Sequence, residues 1–395
     1  MGESARATIT GLRPTRAEVD LAALRHNARV VLDHVRQPPS SPLVYGVVKA
    51  DAYGHGAVAA ARAMERAGVD GLGVALVEEG LELRAAGVTA PVLVMSGIHG
   101  DAIAAALDAR LTPVVHHPTQ LASLAALGDR EAVVHLKVDT GMSRLGVTPD
   151  ELPRVVERLA AMRNVRVEGL MTHLASADGD DTEFSREQMR RFGEAVEVAR
   201  RAGLRPRLLH AAASAGALRM DDTRLDLVRV GIAMYGSAPF PNTAPGLLPA
   251  MRLRTEVISL RTVPAGATVG YSGAYRVGRP SVIATIPIGY ADGFVRRLSS
   301  EAEVLVHGAR CRVVGNVSMD LSTVDVTDLS RSRGVSIGDE VVVLGPQRGS
   351  AGFDCIRAEE IAQRVGTIPY EVLTAVSRRV PRVYVNDDGG DARVG

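Results

Sequence analysis

The sequence predicts an α/β protein in two parts, an N-terminal (β/α)8 barrel of the TIM type and a mainly β C-terminal domain. Three observations carry this. Eight short apolar runs alternate with alanine-rich helical stretches from about Ala17 to Gly236. Four prolines then fall within Pro239–Pro249, a density that neither a helix interior nor a central strand tolerates, so this stretch reads as a linker. Beyond it, strand-like runs recur between turn signals in RTEVISLRTV, EAEVLVHGARCRVVG and VSIGDEVVVLG.

The apolar runs begin at Leu43 (LVYGVVK), Leu72 (LGVAL), Pro91 (PVLVMS), Leu111 (LTPVVHH), Ala132 (AVVHLKV), Val165 (VRVEGLM), Leu208 (LLHAAA) and Leu227 (LVRVGIAMYG). Near-continuous apolar character is that of parallel strands buried on both faces. A doubly wound sheet is the alternative arrangement of the same repeat. The expected boundaries are a tail over 1–14, the barrel over 15–246, the β domain over 247–385 and a second tail over 386–395.

Composition excludes several functions. With 46 Lys plus Arg against 45 Asp plus Glu, the net charge of +1 gives no electrostatic pull toward nucleic acid or a membrane surface. No apolar run approaches the length of a membrane span, and the opening MGESARATITGLRPTR lacks the apolar core of a secretory leader. Cys311 and Cys355 make neither a disulfide framework nor a metal-ligand spacing, so a reducing cytoplasmic setting and no metal are expected.

Polar residues cluster where barrel strands end, which is where such folds place their chemistry. Lys49 stops the first run, and Asp51, Tyr53 and His55 follow at alternate positions, with Gly54 and Gly56 free to bend the backbone. A lysine there could also be a solvated strand terminus. After the fifth run come Lys137, Asp139 and Arg144; after the sixth, His173 and Asp178; after the seventh, His210 and Ser214. The eighth carries Arg229 within apolar neighbours. Singly, each has a structural explanation, such as a satisfied core histidine or an arginine paired with a carboxylate. Together they point to a ligand, because so many buried ionisable groups are costly without one.

The segment VVKADAYGHG resembles the pyridoxal 5'-phosphate (PLP) lysine motif of bacterial alanine racemases, and further motifs of that family follow in order as far as Tyr384. The resemblance implies that Lys49 carries the cofactor covalently. It implies that Tyr53, Ser214, Gly231, Ile232 and Tyr370 hold the cofactor phosphate, and that His173 lies against the ring. Arg229 would face the pyridine nitrogen, with His210 orienting it. A guanidinium only donates hydrogen bonds, so that nitrogen would stay unprotonated and the ring would be a weaker electron sink, which favours racemisation over decarboxylation.

Racemisation needs a base on each face of the amino-acid Cα. The resemblance assigns one face to Lys49 and the other to Tyr271 of TVGYSGAY, which without the motif reads as an ordinary strand tyrosine. It gives Arg144 the substrate carboxylate and makes Lys137 a site of carbamylation. In PIGYADGFVRR and VSMDLSTVDV it gives Met319 and Asp320 the substrate pocket, and it sets Tyr290 with Asp178 at the entryway. It also implies a head-to-tail homodimer with shared active sites. Three positions depart from the family pattern: Ala213 for asparagine, Asn316 for arginine and Ser318 for cysteine. They leave open a racemase of broader or different specificity, such as one for serine.

Overall fold

The computed structural model describes residues 12–38, 41–98, 102–179, 181–240 and 246–387. They form two compact units. One is built from the described residues of Leu24–Ala52 and Ala57–Leu247; the other takes in the described residues up to Ala23, Tyr53–Gly56, and those from Leu248 onward.

A strand β1 (Arg16–Asp20) comes first; the eight apolar runs then form eight parallel strands, β2 (Leu43–Val47), β3 (Gly71–Val74), β4 (Val92–Val94), β5 (Leu111–Val115), β6 (Ala132–Lys137), β7 (Val165–Met171), β8 (Leu208–His210) and β9 (Leu227–Val230). Their order, β8-β7-β6-β5-β4-β3-β2-β9, is that of a nearly closed barrel. Across the remaining gap the N–H groups of Asp226 and Arg229 reach the carbonyls of Leu209 and Ala212, both at 3.0 Å. Inside the ring Tyr45, Leu93, Val114, Met171, Leu208 and Leu227 pack together.

Outside it the helices bury one stripe each. In Leu152–Ala161 the buried residues are Leu152, Val155, Val156 and Leu159, a one-face spacing, and Pro153 at the opening turn costs no hydrogen bond. The longest described helix, Glu183–Arg201, buries Phe192, Ala195, Val196 and Ala199 in the same way.

The other unit is organised by a ten-stranded sheet. Here the expected boundaries need correction. Strand β1 does not belong to the barrel: it pairs antiparallel with Met251–Glu256 and parallel with Arg382–Val385. Its alternation explains why, since Ala17 and Val19 are buried while Glu18 faces outward to Arg252 and Arg254 at 3.0 and 2.6 Å. Nor are residues 12–14 a loose tail. Arg13 donates two hydrogen bonds to the buried Asp292 carboxylate, at 3.0 and 2.7 Å. At the other end Asn386 donates to Asp20 at 2.8 Å. Residues 1–11 and 388–395 of the expected tails, and 241–245 of the linker, lie outside the described residues. Among the described residues no helix is long and apolar enough to cross a membrane, and no cluster of metal-ligating side chains occurs.

Candidate active site

Lys49 stands directly after β2, where the chain makes a left-handed helical turn. Ala50, Asp51, Ala52 and Tyr53 have φ of 53°, 54°, 53° and 54°, followed by Gly54 at 81°. Left-handed backbone costs an L-residue about 1–2 kcal/mol, so four in succession need outside support. Three hydrogen bonds supply it. Ala52 N–H donates to Val48 O at 2.9 Å, Ala50 N–H to Glu79 Oε1 at 2.7 Å, and Ala57 N–H to Asp51 Oδ1 at 2.8 Å. Gly54 is required twice over, by its φ and because a Cβ there would lie 2.6 Å from Leu373 O. The sequence suggested a glycine bend and gave no sign of the reversed hand.

Tyr235, which sequence reasoning missed, donates from its hydroxyl to Val47 O at 2.7 Å and so braces the end of the strand that presents Lys49. The loop after β6 is built by Asp139, whose Oδ1 accepts N–H groups of Gly141, Met142 and Ser143 at 2.9, 2.9 and 3.1 Å and so sets the path to Arg144. The loop after β7 is pinned from the helix Glu183–Arg201. There Gln188 donates to His173 O at 3.0 Å and accepts from Ala175 N–H at 2.8 Å.

Arg229 is the buried centre of this mouth. Its Nη1 lies 2.8 Å from His210 Nδ1, and its Nη2 reaches Thr172 O at 3.0 Å, Ala211 O at 2.9 Å and His173 Nδ1 at 3.3 Å. No carboxylate touches it among the described residues, and burial pulls its pKa down to about 10. The same mouth crowds other cations. Burial, then Arg229 and Arg144, push Lys137 down to about 8. Although part of Lys49 reaches solvent, the protein packed around it lowers its pKa, with Arg144 adding to the shift and Glu79 opposing it. His173 is held neutral by burial first and then by Arg229, Lys137, Arg144 and Lys49. Ser214 Oγ accepts the N–H of Gly231 at 2.9 Å, which joins the helix after β8 to the short turn Ile232–Tyr235 after β9. Ala213, at the cap of that helix, offers no side-chain hydrogen bond.

In the other unit, rings of Tyr53 and Tyr370 lie 5.9 Å apart, and burial raises the Tyr53 phenol above its ordinary range, so it stays a donor. A second group forms from three loops. Asn316 donates to Tyr271 O at 3.1 Å, and the N–H groups of Tyr290 and Ala291 donate to Ser318 O and Met319 O, both at 3.0 Å. Tyr271 and Met319 are 69% and 52% exposed. Asp320 is tied to Arg379 at 2.6 Å. Asp178 is exposed on the turn after β7 and forms no hydrogen bond with the Arg229 group among the described residues.

The family profile for the alanine racemase N-terminal domain matches residues 19–239, and that for the C-terminal domain matches residues 250–384. The chain belongs to the alanine racemase family. An alanine racemase of Sorangium cellulosum is 50% identical over 380 residues, covering 94% of this chain and 99% of that one. The structure of alanine racemase from Streptomyces coelicolor A3(2) matches with a TM-score of 0.87 at 37% identity, covering 95% of this chain and 99% of that one. The alanine racemase of Bacillus anthracis with bound L-Ala-P gives 0.86 at 34% identity, covering 95% and 96%. Membership in the alanine racemase family makes the chain an enzyme, an isomerase acting on a small amino acid.

Proposed function

We propose that the chain interconverts L- and D-alanine with bound PLP, Lys49 and Tyr271 serving as the two bases. The observation that carries this is the setting of Arg229: a buried guanidinium with two nitrogens fixed on His210, His173 and carbonyls, and with Nε carrying no hydrogen bond among the described residues. Nε therefore retains a donor, and a neutral pyridine nitrogen would supply the acceptor for it. The rest of the mouth fits the same group. Lys49, Lys137, Arg144 and Arg229 concentrate positive charge for a ligand bearing phosphate, phenolate and carboxylate. Ser214 with the N–H groups after β9 would hold the phosphate, joined by Tyr53 and Tyr370.

PLP, when bound, supplies the electron withdrawal that makes the amino-acid Cα–H acidic. The chain supplies the proton transfers. Lys49, with its lowered pKa, would take or return the proton on one face, and Arg144 would orient the substrate carboxylate. On the other face Tyr271 would act, with Met319 and Asp320 shaping the pocket and Tyr290 its approach, beside Asp178. Because Tyr271 and Met319 are so exposed in a single chain, we place them in the partner's site of a head-to-tail homodimer. Lys137 would be carbamylated and so face Arg144 as an anion. The two free cysteines agree with a cytoplasmic location.

The test is borohydride reduction of the PLP-loaded protein followed by peptide mapping, which should leave the pyridoxyl group on Lys49; a label on Lys137 would overturn the assignment. Loss of optical activity with alanine but not serine, without carbon dioxide release, separates this reading from broader racemases and from decarboxylation.

A further inference from the structure

We propose that His135 and Glu168 are positioning residues for Arg229: His135 and His210 form a directional hydrogen-bond chain, with the Glu168 carboxylate beside its far end, that fixes the guanidinium as a donor to the pyridine nitrogen of the function proposed above. The direction follows link by link. A guanidinium only donates, so His210 Nδ1, 2.8 Å from Arg229 Nη1, must accept. A neutral His210 then carries its proton on Nε2, which is 2.8 Å from His135 Nδ1. His135 Nδ1 must accept in turn, leaving its own proton on Nε2, which lies 3.9 Å from Glu168 Oε2, beyond a direct hydrogen bond. The two rings meet edge to face at 71°, with centroids 4.9 Å apart.

The backbone is shaped for this chain. Gly169 lies flat against the His135 ring, and a Cβ there would come within 2.5 Å of Nδ1. Along β6 and β7, Val134 pairs with Val167 and His135 with Gly169, so Glu168 is the extra residue of a bulge, a device that re-aims a side chain. Electrostatics agree. Burial lowers the pKa of both histidines and keeps them neutral, while Glu168 is held down to about 2, chiefly by the His135 ring, against burial and with help from Arg166. The Glu168 carboxylate thus lies behind His135, at the end of the chain away from Arg229.

Two NMR measurements test this. In the cofactor-free protein, histidine ring 15N shifts should show His210 with pyridine-type Nδ1 and pyrrole-type Nε2, and His135 in the same sense. The opposite tautomer of His210 overturns the chain whatever the protein binds. In the protein loaded with PLP labelled with 15N at the pyridine position, Glu168→Leu and His135→Phe should each move that nitrogen signal. Each should also lower kcat roughly tenfold, the size seen when an outer-shell partner is lost, with KM for alanine nearly unchanged. Glu168→Gln keeps the shape but removes the charge, and should move the pyridine signal in the same direction as Glu168→Leu and by less. A pyridine signal identical in wild type, Glu168→Leu and His135→Phe would overturn the proposal. Failure of the wild-type chain to take up PLP would instead overturn the function, leaving the tautomers to decide the chain.

Discussion

The side-chain amide of Asn316 donates to the backbone carbonyl of Tyr271 at 3.1 Å. Tyr271 sits in a loop of left-handed residues, Gly270 at φ 78°, Ser272 at 60° and Gly273 at 56°, with no buried side chain of its own to hold it. The bond from Asn316 is therefore one restraint on where the phenol can go, beside the Ala274 N–H, which also donates to Tyr271 O, at 3.3 Å. Asn316→Ala removes one neutral hydrogen bond of about 1 kcal/mol, and kcat should fall about fivefold in both directions. Thermal stability should hardly change. An unaltered kcat would show that Tyr271 is positioned by something else.

Lys137 gives a prediction for pH. Pushed down to about 8, its amine is uncharged in roughly half of molecules at pH 8, and more so above, whereas an ordinary lysine is almost wholly charged there. Only the uncharged amine adds carbon dioxide, so carbamate formation should rise as pH increases through 8. With 13C-labelled bicarbonate, a carbamate signal should appear and be lost in Lys137→Arg. A signal that persists in the variant would assign the modification elsewhere.

How much of this was legible in the sequence depended on whether the cause was local. The barrel strands could be read because strands buried on both faces are continuous apolar runs, and Lys49, His210 and Arg229 were visible as the polar residues that interrupt or end them. Strand β1 was misassigned because RAEVD has the right alternation for either unit, and its partners, Met251–Glu256 and Arg382–Val385, are far away in the chain. The left-handed turn was hidden because alanine and tyrosine carry no preference for φ near 54°; Glu79, which supports it, is remote in sequence. His135 and Glu168 were overlooked as isolated polar residues in apolar strands. The available signal was spacing: His135 lies two positions before Lys137, on the same inward face.

Glu168 also ties the proposed chain to stability. Its carboxyl is held down to about 2 in the fold, against an ordinary 4.5, so between those values the unfolded state binds more protons than the native state. The stabilisation is complete above about pH 4.5 and is lost as pH falls through 2. Denaturant titrations should therefore find Glu168→Gln less stable than wild type at pH 6, with the gap narrowing at pH 3. A gap independent of pH would mean that the carboxylate charge contributes nothing.

Assembly gives the strongest test of the proposed site. Tyr271 and Met319 are largely exposed in one chain, yet the loops that carry them are tied by Asn316, Tyr290 and Ala291, as though shaped to meet a surface. If that surface is the barrel mouth of a second copy, two-fold symmetry makes two equivalent sites, each drawing Lys49 from one chain and Tyr271 from the other. Lys49→Ala and Tyr271→Phe should each be nearly inactive alone. When the two variants are unfolded and refolded together, a mixed dimer holds one site with both defects and one with neither. Random pairing makes about half of the dimers mixed, each with one working site of two, so roughly a quarter of wild-type activity should return. If mixed dimers form, as mass spectrometry of differently tagged chains would show, and no activity returns, then Lys49 and Tyr271 act within one chain and the shared site is wrong.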